Sequence, residues 1–97
     1  MTHTPDEIIA KLGELSPDEI AHLLRDAGVR GHLRLGEVCP VARYVKLNSA
    51  TLTVNIGRSR YAAFDEESRC TATGELPRSV KHFALRFDGG RYPDLIA

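Results

Sequence analysis

The chain has 97 residues, too few to form two independent hydrophobic cores, so residues 1–97 are expected to form a single domain. Hydrophobic residues make up 42% of the chain and charged residues 27%, a balance typical of a folded globular protein and too apolar for a wholly disordered one. The formal net charge is zero, which excludes the strongly basic and strongly acidic classes of protein.

The sequence shows neither a membrane-spanning pattern nor a secretion signal. No apolar run reaches the roughly 18 residues typical of a membrane span. The N-terminus lacks the basic and apolar regions of a signal peptide. We therefore expect a cytoplasmic protein with no membrane partner, in which residues 1–4 are a flexible N-terminus. In that compartment Cys39 and Cys70 are expected to stay reduced, and a bridge between them is the alternative.

Two similar segments open the chain, at residues 4–8 and 16–20. Each has a hydroxyl residue, a proline and, three residues after the hydroxyl, a glutamate. The hydroxyl can cap a helix, proline is tolerated at the first helical position, and the glutamate can bond back to the cap. These signals predict helices over residues 5–15 and 17–26, the second ended by Gly28.

A third helix is predicted over residues 40–47. Val41, Tyr44 and Val45 recur there at helical spacing and form an apolar stripe. The loop before it, between Val29 and this helix, is interrupted by glycine and has an extended character.

The hydrophobic period then changes from helix to strand. Residues 51–56 alternate polar and apolar side chains, as a half-buried strand does. Residues 60–64 and 69–73 predict two further strands, and the short connections permit only antiparallel pairing. A last helix is predicted to open at residues 76–77 and to stop at two glycines, with the tail docked on the core.

The predicted fold class is therefore α+β, in a small single domain. Three helices come first, a three-stranded antiparallel meander follows, and a C-terminal helix completes the chain. Helices are expected to cover one face of the sheet.

Cys39 stands directly before a proline at the start of the third helix. Orphan amides and the helix dipole can lower a thiol pKa at such a position, which is the basis of a redox or nucleophilic hypothesis. The sequence shows no Cys-x-x-Cys motif and no histidine placed locally as a base. Because cysteine is among the most buried residue types, we expect Cys39 to be a buried helix start.

Metal binding and catalysis have weak support. Zinc motifs place ligand pairs two to five residues apart, whereas His22, His32, Cys39 and Cys70 are separated by ten, seven and thirty-one residues. The motifs of nucleotide-binding, serine-hydrolase and metalloprotease sites are missing. We therefore predict no metal, no cofactor and no catalytic residue.

Basic residues concentrate in the middle of the chain. Residues 1–20 carry five acids and one lysine, whereas residues 21–60 carry seven basic residues and two acids. If these basic side chains share a face, they form a patch that attracts phosphates, and nucleic-acid binding is the alternative function. The seven basic residues of this segment are Arg25, Arg30, Arg34, Arg43, Lys46, Arg58 and Arg60. A helix-turn-helix is disfavoured, because glycines keep the chain irregular where a recognition helix would follow.

Two segments carry a resemblance to a known group of proteins. Residues 39–45 read Cys-Pro-Val-Ala-Arg-Tyr-Val and residues 86–95 read Arg-Phe-Asp-Gly-Gly-Arg-Tyr-Pro-Asp-Leu. From about residue 20 onward the chain resembles small uncharacterised proteins of actinobacterial genomes, their phages and integrated elements. The resemblance implies no activity, cofactor or catalytic residue, and it favours an accessory role of phage or mobile-element type.

The leading hypothesis is a non-enzymatic accessory or regulatory binding protein that acts through protein–protein contacts. Its partner is an unidentified protein or a second copy of the chain. Nucleic-acid binding through the basic middle segment is the alternative, and a thiol-dependent redox function of Cys39 is the third hypothesis.

Overall fold

The computed structural model describes residues 4–33, 39–49 and 53–97. Within these ranges the chain forms four α-helices, three strands and a short 3-10 helix. They are α1 (Pro5–Leu12), α2 (Pro17–Asp26), α3 (Pro40–Asn48), β1 (Thr53–Ile56), β2 (Arg60–Phe64), β3 (Cys70–Glu75), α4 (Arg78–Asp88) and the 3-10 helix Pro93–Leu95. The α+β fold class, with helices first and a C-terminal helix, is confirmed.

The first two helices begin with the caps that the sequence predicts. Thr4 Oγ1 accepts a hydrogen bond from the Glu7 N–H at 3.2 Å. Ser16 Oγ accepts one from the Glu19 N–H at 3.2 Å, and the Glu19 carboxylate accepts one from the Ser16 N–H at 3.0 Å. This reciprocal pair is a complete capping box, and the Ser16 N–H holds the pKa of Glu19 below its ordinary value.

Helix α1 ends at Leu12, three residues before the predicted end, and its end packs against a distant segment. The Ser79 hydroxyl lies 3.2 Å from the carbonyl oxygen of Gly13 and 3.4 Å from that of Leu12, which also accepts a hydrogen bond from the Leu15 N–H at 3.1 Å. Gly13 also packs tightly on Pro77: a Cβ at Gly13 would lie 2.6 Å from the Pro77 Cβ and Cγ.

Helices α2 and α4 end at glycines in the left-handed region. Gly28 has a φ of 72°, and the following Val29 N–H reaches back to the Leu24 carbonyl at 3.0 Å. Gly90, with a φ of 80°, occupies the same position after α4. An L-residue with a side chain rarely adopts this conformation, so the glycines end both helices as predicted.

The three strands form an antiparallel meander in the order β1-β2-β3, which confirms the predicted arrangement. Strand β1 covers Thr53–Ile56, and the predicted start at residues 51–52 lies outside the described residues. Its Val54 pairs with Ala63 of β2, and both side chains are buried. The sheet therefore buries one face, and the helices cover it.

Strand β3 is longer than predicted, because it runs to Glu75 and not to residue 73. Gly74 pairs with Tyr61, and its missing side chain leaves room for the tyrosine ring: a Cβ at Gly74 would lie 3.0 Å from Tyr61 Oη. Glycine looks like a strand breaker in sequence, but here it permits close packing within the sheet.

The core lies where the helices meet the buried face of the sheet. Phe83 and Phe87 of α4 are each 1% exposed and are the largest fully buried side chains in the described part of the chain. The tail docks on this core as predicted, since Leu95 is 1% exposed and the Gly31 N–H donates to its carbonyl at 2.8 Å. No helix in the described ranges is long and apolar enough to cross a membrane.

The contact between Gly13 and Pro77 yields a stability prediction. We expect Gly13→Ala to lower the free energy of unfolding by about 1–3 kcal/mol, because the new methyl group collides with the proline ring. Gly89→Ala is the matched control, since Gly89 also caps a helix but its Cβ would lie 3.4 Å from its nearest neighbour. Urea denaturation measures both, and equal stability of the two variants would contradict the assigned clash.

Candidate functional site

Three of the basic residues predicted from sequence lie close together. Arg25, in the last turn of α2, forms an ion pair with Asp94 of the 3-10 helix. Arg43 of α3 donates from Nη1 to the carbonyl oxygen of Arg30 at 3.1 Å. Arg25, with a smaller contribution from Arg30, holds the pKa of Asp94 below its ordinary value. We call Arg25, Arg30 and Arg43 the basic cluster.

The other predicted basic residues lie elsewhere on the fold. Lys46 is exposed in the last turn of α3. Arg58 and Arg60 belong to the β1–β2 hairpin, where Arg60 pairs in register with Glu75 of β3. Arg34 lies outside the described residues. Whether these side chains bind nucleic acid stays a prediction.

Cys39 is the N-cap of α3, and its side chain is 9% exposed. The sulfur accepts a hydrogen bond from the Ala42 N–H at 3.4 Å. Burial raises the pKa of the Cys39 thiol to about 11 and outweighs the opposite effect of the backbone amides of Ala42 and Val41. The thiol is therefore protonated at neutral pH. Cys39 and Cys70 are both thiols and are not joined by a disulfide.

A first groove lies beside Cys39, between the start of α3, the end of β1 and α4. We call it the thiol groove; its volume is about 400 Å³. Val41, Ile56, Phe83 and Phe87 contribute buried apolar surface to it, and Arg58, Lys81 and Asp88 contribute charge. The thiol groove is therefore lined by both positively and negatively charged side chains.

A second groove lies between α1, α2 and α3, and we call it the three-helix groove. Its volume is also about 400 Å³. Ile8 and Leu12 in its lining are buried, whereas Leu15, Leu23 and Tyr44 pack on the core and stay partly exposed. The groove is thus an apolar depression whose walls come from three separate helical segments.

Charged side chains surround the apolar lining of the three-helix groove. The carboxylates of Glu7 and Glu14 and the ammonium group of Lys11 belong to it, together with the Asn48 amide. Asn48 donates from Nδ2 to the Tyr44 carbonyl at 2.9 Å, which ties it to α3. Carboxylates outnumber cations here, so the groove favours a partner with positive groups around an apolar centre.

The helices predicted over residues 5–15 and 17–26 gave no indication of the three-helix groove between them. Leu15 and Leu23 have the spacing of core residues, and nothing in that spacing distinguishes a buried leucine from one at the edge of a depression. The only signal in the sequence was the acidic character of residues 1–20, which includes Glu7 and Glu14.

The described residues contain no cluster of side chains suited to a metal ion. Among residues 4–33, 39–49 and 53–97, no three His, Cys, Asp or Glu side chains lie close enough to hold a metal ion. His22 is exposed and lies 3.4 Å from the Asp26 carboxylate, one turn along α2.

Comparison of the chain with protein-family models, with curated proteins and with solved structures found no match.

The two cysteines provide a direct check of the Cys39 environment. At neutral pH we expect iodoacetamide to label Cys70 as an ordinary exposed thiol, and Cys39 at least roughly 100-fold more slowly because so little thiolate is present. Single-cysteine variants Cys70→Ser and Cys39→Ser, followed by mass spectrometry, separate the two rates. Equal rates would contradict the burial of the sulfur.

The raised pKa of Cys39 also predicts a pH dependence of stability. In the unfolded chain the thiol ionises near pH 9, whereas in the folded protein it keeps its proton until about pH 11. The unfolded state therefore binds fewer protons between these values, and stability falls as pH rises from 9 to 11. The stability difference between wild type and Cys39→Ala should shrink over this range, and a constant difference would contradict it.

Proposed function

We propose that the protein is a non-enzymatic binding protein that acts through protein–protein contacts, with the three-helix groove as its docking site. The observation that carries this proposal is a depression of about 400 Å³ whose lining combines five apolar or aromatic side chains with two carboxylates and one ammonium group. Its size lies within the range of specific binding sites. Apolar grooves between helices receive the apolar side of amphipathic segments in many recognition modules.

The chemistry of the groove defines the kind of partner. Burial of an apolar side chain against Leu12, Leu15 and Leu23 supplies affinity, because it removes apolar area from water. Lysine or arginine groups beside that side chain meet Glu7 and Glu14. An acidic partner would bring carboxylates against these two residues and would be repelled.

The other features of the chain fit this function better than catalysis by a thiol. The Cys39 sulfur is buried and protonated at neutral pH, which is the reverse of what a nucleophile requires. The resemblance of residues 39–45 and 86–95 to proteins of phage and mobile-element type supports an accessory or regulatory role. We propose the cytoplasm as its location, since Cys39 and Cys70 are both thiols and a reducing compartment keeps thiols in that state.

Model peptides test the docking function. We expect an amphipathic peptide of leucine and lysine to bind the wild-type protein, and a leucine and glutamate peptide of the same length to bind at least about tenfold more weakly. Leu15→Lys, which places a cation in the groove, should lower affinity for the first peptide by about tenfold or more. Isothermal titration calorimetry measures the three affinities: both peptides with the wild type, and the leucine and lysine peptide with Leu15→Lys.

Ala10→Lys is the control for Leu15→Lys. Ala10 is exposed on α1 and does not belong to the groove lining, so the variant adds the same charge to the same part of the fold. It should bind the leucine and lysine peptide nearly as the wild type does. Loss of binding in both variants, or equal affinity for the two peptides, would contradict docking at this groove.

The basic cluster favours nucleic-acid binding as a second candidate function. Arg25 and Arg30 both act on the Asp94 carboxylate, which offsets one of their charges, and Arg43 donates to the backbone carbonyl of Arg30. The remaining positive charge can attract phosphates in a salt-dependent manner.

Fluorescence anisotropy with random single-stranded and duplex DNA at low salt tests this candidate. If the basic cluster contacts phosphates, Arg43→Gln should weaken binding and reduce the slope of affinity against salt by about 1. Arg60→Gln, in the β1–β2 hairpin, is the control and should leave the slope unchanged. An absence of binding at low salt would remove the nucleic-acid function.

A further inference from the structure

We infer that the occupant of the three-helix groove is the exposed side of α4 in a second copy of this chain. The inference rests on the proposed function, because it identifies the partner of the same groove. Both halves of the interface are then present on every molecule: an apolar depression with two carboxylates and one ammonium group, and a helix that presents an exposed leucine with two cations and one carboxylate.

The exposed side of α4 is centred on Leu85, whose residue surface is 66% exposed. Lys81 lies four residues before it and Arg78 seven, so both share its side of the helix. The opposite side of α4 carries Val80, Phe83 and Phe87, which are buried in the core. Asp88, three residues after Leu85, shares that side as well. The helix is therefore held firmly by one side and presents on the other an apolar residue with two cations and one carboxylate.

The charges of the two surfaces are complementary. Helix α4 carries the cations Arg78, Lys81 and Arg86 against the single carboxylate Asp88. Of these cations, Arg86 lies 3.7 Å from Asp18 of its own molecule, whereas Lys81 and Arg78 form no ion pair with a described residue. Lys81 and Arg78 are thus available to meet carboxylates of the groove, of which Glu14 is exposed beyond the end of α1.

The volumes are also compatible. A groove of about 400 Å³ holds more than one side chain. Leu85 can enter between Leu15, Leu23 and Tyr44 while the aliphatic stem of Lys81 covers the edge and its ammonium group stays in water. An exposed leucine and a partly exposed apolar groove each gain from being removed from water.

The exposed side of α4 and the three-helix groove are formed by different residues, so each surface can be disabled by its own substitution. Leu85→Asp removes the apolar side chain that enters the groove and leaves the groove intact. Leu15→Lys blocks the groove and leaves Leu85 in place. Whether two molecules close a symmetric pair or associate head to tail, a mixture of these two variants retains one working contact.

Sedimentation equilibrium from about 10 µM to 1 mM tests the inference, a range in which weak association is measurable. We expect the wild type to associate and each single variant to lose at least about tenfold in association constant. An equal mixture of the two variants should form species of two chains. Recovery in the mixture also shows that both variants are folded.

Leu47→Asp is the matched control for Leu85→Asp. Leu47 is 68% exposed near the end of α3 and does not line the groove, so the same change there should leave association unaltered. A monomeric wild type, an equal effect of Leu47→Asp, or a monomeric mixture would each overturn the inference. If the leucine and lysine peptide still binds in that case, the proposed function stands and only the identity of the partner is wrong.

Discussion

The burial of Phe83 and Phe87 in the core, on the helix that packs against α2 and α1, is the interaction on which the rest of the structure depends. Each is 1% exposed, and Phe83 stacks on Tyr92 with ring centroids 5.2 Å apart. Tyr92 in turn donates to the Asp18 carboxylate at 2.8 Å, which joins the tail to α2. Truncation of a buried phenylalanine costs about 3–5 kcal/mol, a large part of the stability of a small domain. Because α4 is anchored this firmly on one side, its other side can present Leu85 rigidly.

The same helix shapes the candidate site from a distance. Ser79, in the first turn of α4, takes up the carbonyl groups at the end of α1, and Gly13 fits against Pro77. Helix α1 stops at Leu12, so Leu15 lies in the connection to α2. That connection forms one edge of the three-helix groove. The groove is thus lined jointly by α1, by the connection that follows it, and by α2 and α3.

Local signals predicted the helices and strands well because their physics is local. The Ser16 capping box joins residues three apart, and a pattern that alternates every second residue can only bury one face of a strand. Cys39 combines a local and a non-local effect. Its place at a helix start favours a lowered thiol pKa, whereas the preference of cysteine for burial led us to expect a buried helix start. The residue is buried, and burial raises its pKa to about 11.

By itself, the sequence determined the α+β fold class, the helix starts, the glycine stops after α2 and α4, and the antiparallel order of the strands. Each depends on residues close together in the chain. The tertiary structure alone decided that Arg25 meets Asp94, 69 residues away, and that Leu23 and Tyr44 from different helices share one groove. Sequence spacing records the side of a helix on which a residue lies. It does not record which other side of the molecule lies opposite, because that is set by the packing of all elements around one core.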